Sequence, residues 1–285
     1  MTRTPPLVRA LKGLALTLVA LFFLFPLLWV VLMSFQTNDD ILRIPPKLVF
    51  TPTLSNYASL FAGTFTGAGS TLQIDYVGNL ENSFILSAGA VLLSLLLGVP
   101  AAYAFARFKF RGAETIASTL LSFRFAPALL VLLPLKLYFQ ELGLENTYLG
   151  LIWVYQLVTL PLVIWIVRGY FEDVNPDIEH AYQIDGHSWF AAFRRISVPL
   201  AGPGIAAAAL LSFIFAWNNF IFALILASAD KQPVTVGALA FITASGIQYG
   251  QIAAGLVLSI VPTLVLALFT QRYLVEGLSL GAVKG

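Results

Sequence analysis

Between Lys12 and Asp39 the chain carries no charged side chain, and the run Gly13–Phe35 is almost wholly apolar. A helix needs about 20 apolar residues to cross a hydrocarbon core about 30 Å thick, where no water can satisfy its backbone. The run exceeds the roughly 7–15 apolar residues of a signal peptide, and Phe35, Gln36 and Thr37 do not form a small-residue cleavage site. It reads as a retained span, Leu14–Phe35. Five further stretches follow. Asn82–Ala106 is closed by Arg107, Lys109 and Arg111, and about 115–139 contains Arg124 and Lys136. About 148–167 is closed by Arg168, and the last two run from about 203 to 227 and from about 252 to 270. The expectation is an all-α integral membrane protein, one transmembrane domain over 1–285 with six transmembrane helices.

Composition agrees. Hydrophobic residues make up 59% and charged ones 11%, against about 25% charged in soluble domains, so the lipid bilayer must face much of the surface. A net charge of +2 gives no case for nucleic acid. With no cysteine, thiolate catalysis and cysteine–zinc sites are excluded.

Basic residues set the orientation. With the N-terminus inside, eleven lie in cytoplasmic segments (Arg3, Arg9, Lys12, Arg107, Lys109, Arg111, Arg168, Arg194, Arg195, Arg272, Lys284) and three outside (Arg43, Lys47, Lys231). That asymmetry places both termini in the cytoplasm. The segments are then an external loop over about 36–80, a cytoplasmic loop over about 169–200 and a cytoplasmic tail over about 271–285. Pro45, Pro46 and Pro52, with Gly63, Gly67 and Gly69, predict irregular structure in the external loop.

The polar segment after the fourth span has clear helix punctuation. Asn175 suits an N-cap and Pro176 the first helical position. Asp177 and Glu179 put negative charge on the first turn. Gly186 ends this short helix, and Ser188 caps a second, Trp189 to Ile196, limited by Pro199. Ile178, Tyr182, Ile184, Trp189, Phe190 and Phe193 lie outside any span, so something must cover them.

The pattern Glu179-x-Ala181-x3-Asp185-Gly186-x6-Phe193-x2-Ile196-x2-Pro199-x3-Pro203 resembles the EAA loop of binding-protein-dependent ABC importer permeases. It departs at His180, where alanine is usual, and at Val198, where leucine is usual. The resemblance implies a coupling helix docked in a groove of a cytoplasmic ATPase, with Glu179, Ala181, Asp185, Gly186, Phe193 and Pro199 at the coupling site. Trp217-Asn218-Asn219-Phe220 resembles a Trp-Asn-acidic-Phe signature of maltose-transporter-type carbohydrate permeases, with Asn219 departing from the acidic residue. Asn56-Tyr57, Ala102-Tyr103-Ala104-Phe105-Ala106-Arg107 and the ending Gln271-Arg272-Tyr273 to Gly281-Ala282-Val283-Lys284-Gly285 are similar to the same permeases. This implies a bacterial or archaeal cytoplasmic (inner) membrane, a second homologous permease subunit, an ATPase homodimer, an external solute-binding protein, and a sugar or sugar derivative as cargo. ATP closure would turn the spans outward through segment 177–198.

Blander readings stand beside these. Asp185-Gly186 alone is an ordinary turn. His180 and His187 are too few for a metal site, and Gly186 interrupts the helix between them. Trp217, Asn218 and Asn219 fit interhelical packing as well as a solute pathway. Arg124 lies about nine residues into its span, roughly 14 Å deep at 1.5 Å per residue, where a charge costs about 2.5–3.5 kcal/mol on insertion scales. It is either a structural pair or a solute contact, and a solute partner would favour an anionic sugar derivative. Lys136 is placed to snorkel to the outer surface. No Gly-x4-Gly-Lys-Ser/Thr loop occurs, so the chain reads as no enzyme, with no catalytic or metal residues and no cofactor of its own. ATP and Mg2+ would be used by the partner ATPase. A secondary transporter or channel subunit for a small polar solute is the alternative, and it lacks midplane acidic groups for ion coupling.

Overall fold

The computed structural model describes residues 6–45, 47, 49–67, 70–125, 128–243 and 246–281. In chain order the helices are α1 (Pro6–Ser34), α2 (Asn38–Leu42), α3 (Ser55–Ala62), α4 (Tyr76–Arg107), α5 (Ala113–Ser122), α6 (Ala128–Glu141) and α7 (Tyr148–Asp173). Then come α8 (Pro176–Ile184), α9 (Trp189–Ala192), a π-helical turn (Phe193–Ser197), α10 (Val198–Leu200), α11 (Gly202–Trp217), α12 (Ile221–Leu226), α13 (Val234–Gly237) and α14 (Tyr249–Gly281). Two small antiparallel hairpins accompany them: β1 (Thr64–Gly67) with β2 (Ser70–Gln73), and β3 (Ile242–Thr243) with β4 (Gly246–Ile247). The chain divides into two compact units, residues 1–77 with 238–260 and residues 78–237 with 261–285.

Among the described residues four helices are long and apolar enough to span: Leu7–Ser34, Tyr76–Arg107, Tyr148–Asp173 and Tyr249–Gln271. A fifth is reached only if Trp189–Leu200 and Gly202–Trp217, bent by 72°, count as one. The expected count of six is not reproduced in full by this measure, and two of the expected stretches are not single described helices. The third stretch comprises α5, which tightens into a 3-10 turn, Phe123–Phe125, and α6 from Ala128, with residues 126 and 127 outside the described residues. The fifth stops at Trp217 because Asn218 caps it. The Asn218 backbone N–H and Nδ2 both donate to the Ile214 carbonyl, at 3.1 and 2.8 Å. The Asn219 carbonyl accepts from Thr235 Oγ1 at 2.9 Å. Freed backbone groups are thus satisfied inside the protein, which apolar surroundings require.

In the first unit, the stretch expected to be irregular holds α2, α3 and the first hairpin. Thr37 caps α2 through Asp40 N–H. The Asn56 amide donates to the Ser34 and Gln36 carbonyls at 2.9 and 2.8 Å, fixing α3 against the end of α1. Pro46 and Gly69 lie outside the described residues. Tyr76 donates to the Gly255 carbonyl at 2.5 Å and shares a hydrogen bond with Ser259.

The second unit is built on α7. Gly98 lets α4 approach it closely: a Cβ there would stand 2.7 Å from Val163 Cγ1, so the small residue is what admits the contact. Polar side chains lock the same pair. Ser94 Oγ donates to Gln156 Oε1 at 2.6 Å and lies 2.6 Å from Thr159 Oγ1, all three buried. α11 also packs along α7, where Gly204 lies under the Tyr170 ring.

Candidate coupling site

The segment after α7 follows its local signals. Asn175 Oδ1 accepts from Asp177 N–H at 2.9 Å, and Pro176 opens α8. Gly186 has φ +89° with open space around it, so its conformation alone calls for glycine. Ser188 Oγ accepts from Ala191 N–H at 3.2 Å and starts α9. Pro199 does not limit the second helix as expected. The backbone widens to a π turn over Phe193–Ser197 and continues through Leu200. A proline ring collides with the carbonyl four residues back in a regular α-helix, and the wider turn moves that carbonyl away.

Glu179 faces inward, not outward. It is 1% exposed despite its charge. Its Oε2 accepts from the Tyr103 hydroxyl at 2.7 Å and its Oε1 from Arg107 Nε at 2.8 Å. Arg107 Nη2 lies 2.8 Å from the same oxygen and also donates to the Val174 carbonyl at 2.9 Å, at the end of α7. Burial pushes the carboxyl upward, but hydrogen bonds from Arg107, Tyr103 and Ser197 outweigh it and hold it below its ordinary value. The Tyr103 ring packs on Phe108, Phe171 and Phe193.

The other expected coupling residues divide between two faces. Ala181, Asp185, Gly186 and Pro199 are exposed, whereas Phe193 is half-buried under the Tyr103 and Phe171 rings. Ile184 (86% exposed) and Phe190 (69%) stand out into solvent, with Ile178 and Trp189 about half out. Beside them is a hollow of about 330 Å3 lined by Gly186, His187, Ser188, Phe190, Ala191, Arg194 and Arg195. His187 stacks on Tyr182 with ring centroids 4.0 Å apart, and His180 meets Trp189 edge-on. Among the described residues no three His, Asp or Glu side chains are grouped to hold a metal ion.

The residues weighed as a solute pathway are also separated. Trp217 is buried and stacks on Phe213. Asn219 keeps its Oδ1 buried without a hydrogen-bond partner. Asn218 is exposed, one turn from the exposed Phe215. The Arg124 guanidinium lies over the Phe215 ring, 4.6 Å from its centroid, and no ion pair forms to it among the described residues. Lys136 reaches Glu145 at 3.5 Å. The side chains from Arg272 onward and residues 282–285, which hold the family-like ending, lie outside the described residues.

The sequence offered Tyr103 and Arg107 only as part of a family-like stretch, without a partner, and gave no signal for Phe215. The first two lie four apart and so share a face of α4, a signal present in the sequence but one that does not name a partner.

Residues 94–278 match the family model described as "Binding-protein-dependent transport system inner membrane component". The chain is 33% identical over 266 residues to a probable ABC transporter permease protein of Sinorhizobium fredii, covering 93% of this chain and 92% of that one. It is 33% identical to the trehalose/maltose transport system permease protein MalG of Thermococcus litoralis, over 99% of both chains. It is 35% identical to the trehalose transport system permease protein SugB of Mycobacterium tuberculosis, over 94% and 95%. Among solved structures, a bacterial ABC transporter involved in the import of the acidic polysaccharide alginate shares its fold, with TM-score 0.74 at 21% identity, over 96% of this chain and 99% of that one. The chain belongs to the family of binding-protein-dependent transport system inner membrane components: it is a multi-pass membrane permease subunit of an ABC transporter, and not itself an enzyme.

Proposed function

We propose that this chain forms half of the translocation pathway of an ATP-driven importer for a sugar or sugar derivative, in a bacterial or archaeal cytoplasmic membrane. The observation that carries the cargo class is end-to-end similarity to permease proteins of trehalose and maltose systems. Its partners are a second homologous permease, an ATPase pair that uses ATP and Mg2+, and an external solute-binding protein. Both termini and segment 169–200 face the cytoplasm, with residues 36–80 outside, as the distribution of basic residues supports. The exposed apolar ridge of Ile178, Ile184, Trp189 and Phe190, flanked by Arg194 and Arg195, docks the ATPase, and the tail from about 271 reaches the same side. ATP closure supplies the differential binding free energy between two packed states.

Arg124, Phe215 and Asn218 form the solute-facing patch in this reading. A ring face, an amide and an uncompensated guanidinium suit a sugar bearing an anionic group. Trp217 supports that patch by packing on Phe213, and the Asn219 carbonyl by accepting from Thr235 just past the break. The test is reconstitution of the complex in proteoliposomes with its binding protein and a panel of neutral and acidic oligosaccharides. Uptake coupled to ATP hydrolysis for at least one sugar is expected. ATP-independent uptake, or none for any sugar with amino-acid uptake instead, would overturn the reading. Within that system Arg124→Gln should raise the solute concentration needed for half-maximal uptake.

A further inference from the structure

Glu179 sits in the segment assigned to ATPase docking, yet no part of its carboxylate is offered to a partner. One oxygen is held by Tyr103 and the other by Arg107, and all three side chains are nearly inaccessible. Arg107 is the last residue of α4. Its guanidinium joins three elements at once: α4 by the chain itself, α8 through Glu179, and the end of α7 through the Val174 carbonyl. Tyr103 adds a second bond from the preceding turn of α4, and its ring is wedged among Phe171 of α7 and Phe193 of the π turn. Two points of attachment one turn apart fix orientation as well as position. A single bond would leave α8 free to pivot.

We infer that Glu179 is a positioning residue that pins α8 to the end of α4, so that the docking ridge and α4 move as one rigid piece. The two motifs recognised separately in the sequence, Tyr103 with Arg107 and Glu179 with Gly186, are then halves of one device. The ridge receives the motion of the ATPase, and the Tyr103–Glu179–Arg107 cluster passes it to α4. From α4 it continues into α7 through the close approach at Gly98 and the Ser94–Gln156–Thr159 bonds. This inference rests on the docking reading of the ridge.

The experiment uses the full transporter complex in proteoliposomes and measures ATPase retention on the membrane subunits, ATP hydrolysed and solute imported. Glu179→Gln is expected to retain the ATPase while lowering solute imported per ATP by roughly tenfold or more, because the buried Arg107 charge loses its partner. Tyr103→Phe keeps the ring packing and removes one bond, so it serves if the first variant assembles poorly; a fall of about threefold in the same ratio is expected. The exchange Arg107→Glu with Glu179→Arg should recover part of the ratio lost in either single charge variant. If Glu179→Gln releases the ATPase and Tyr103→Phe leaves the ratio unchanged, Glu179 is a docking contact and the pin is wrong. Ile184→Glu tests the parent reading separately: retention of the ATPase in that variant refutes docking on the ridge, and with it the transmission through the ridge, whereas a changed ratio in the Tyr103→Phe variant with docking intact speaks to the pin alone.

Discussion

Two arginines close two neighbouring helices of the same unit, and their surroundings differ. Arg107, at the end of α4, and its partner Glu179 are 7% and 1% exposed. Arg168, near the end of α7, is itself 14% exposed, but its partners, Glu114 of α5 and Glu172 one turn on, are 78% and 47% exposed. The chemistry is the same and the energetics are not. Carboxylates that stay in water trade hydrogen bonds to water for bonds to the arginine and gain little. A buried pair has given up its water, so removing one partner strands a charge. Sequence shows two cations ending two spans; only packing shows which one holds the structure together.

The largest effect should come from breaking the buried side. Arg107→Met leaves the Glu179 carboxylate without its counter-charge, and a loss of about 3–5 kcal/mol is expected, read as a lower melting temperature of the detergent-purified complex. A melt unchanged from the parent would place the pair in water after all. Removing one bond and no charge, Tyr103→Phe should cost about 1.5–3 kcal/mol by the same measurement.

Acid separates the two regions next. The Glu179 carboxyl titrates below its ordinary value of 4.5 in the folded protein. The unfolded chain therefore takes up this proton first as pH falls. The stability this group contributes is complete above about pH 4.5 and is lost as pH drops through the lowered folded value. Melting curves of the parent and of Glu179→Gln should therefore differ by a constant amount from about pH 5.5 to 8 and converge at lower pH. A difference that instead grows on acidification contradicts the sign. The smallest effect belongs to the exposed side. Glu114→Gln should leave the melt within error. Raising salt from about 0.1 to 1 M, which shortens the screening length from about 10 to 3 Å, should abolish any residual difference while leaving that of Arg107→Met intact.

The sequence made the local devices legible. Asn175, Pro176, Gly186 and Ser188 act where helix-end chemistry puts them, because capping depends on residues within one turn. The long apolar runs also became long helices, since a single residue type at high density is enough to specify them. Long-range partners were not legible. Glu179 finds Arg107 and Tyr103 across 72 and 76 residues of chain, and its acidic position on a first turn already had a sufficient local explanation. The break in the fifth apolar stretch was hidden for a different reason. Averaging over a window lets Asn218 and Asn219 disappear among their apolar neighbours, although a single amide that captures the Ile214 carbonyl ends the helix. The π turn before Pro199 escaped because the proline signals a conflict, and the backbone has more than one way to relieve it.

Whether α8 and α4 move together can be measured directly. The chain contains no cysteine, so spin labels can be placed through Leu97→Cys on α4 and Asp177→Cys on α8, both exposed positions. The distance between them is read by pulsed electron paramagnetic resonance in the full complex, first without nucleotide and then with ATP trapped. Joint movement gives a narrow distribution whose mean shifts by less than about 2 Å, the scale of a helix adjustment rather than a rearrangement, and that broadens when Glu179→Gln is added. A shift well beyond that between the two states in the parent complex, or a distribution unaffected by Glu179→Gln, would contradict it.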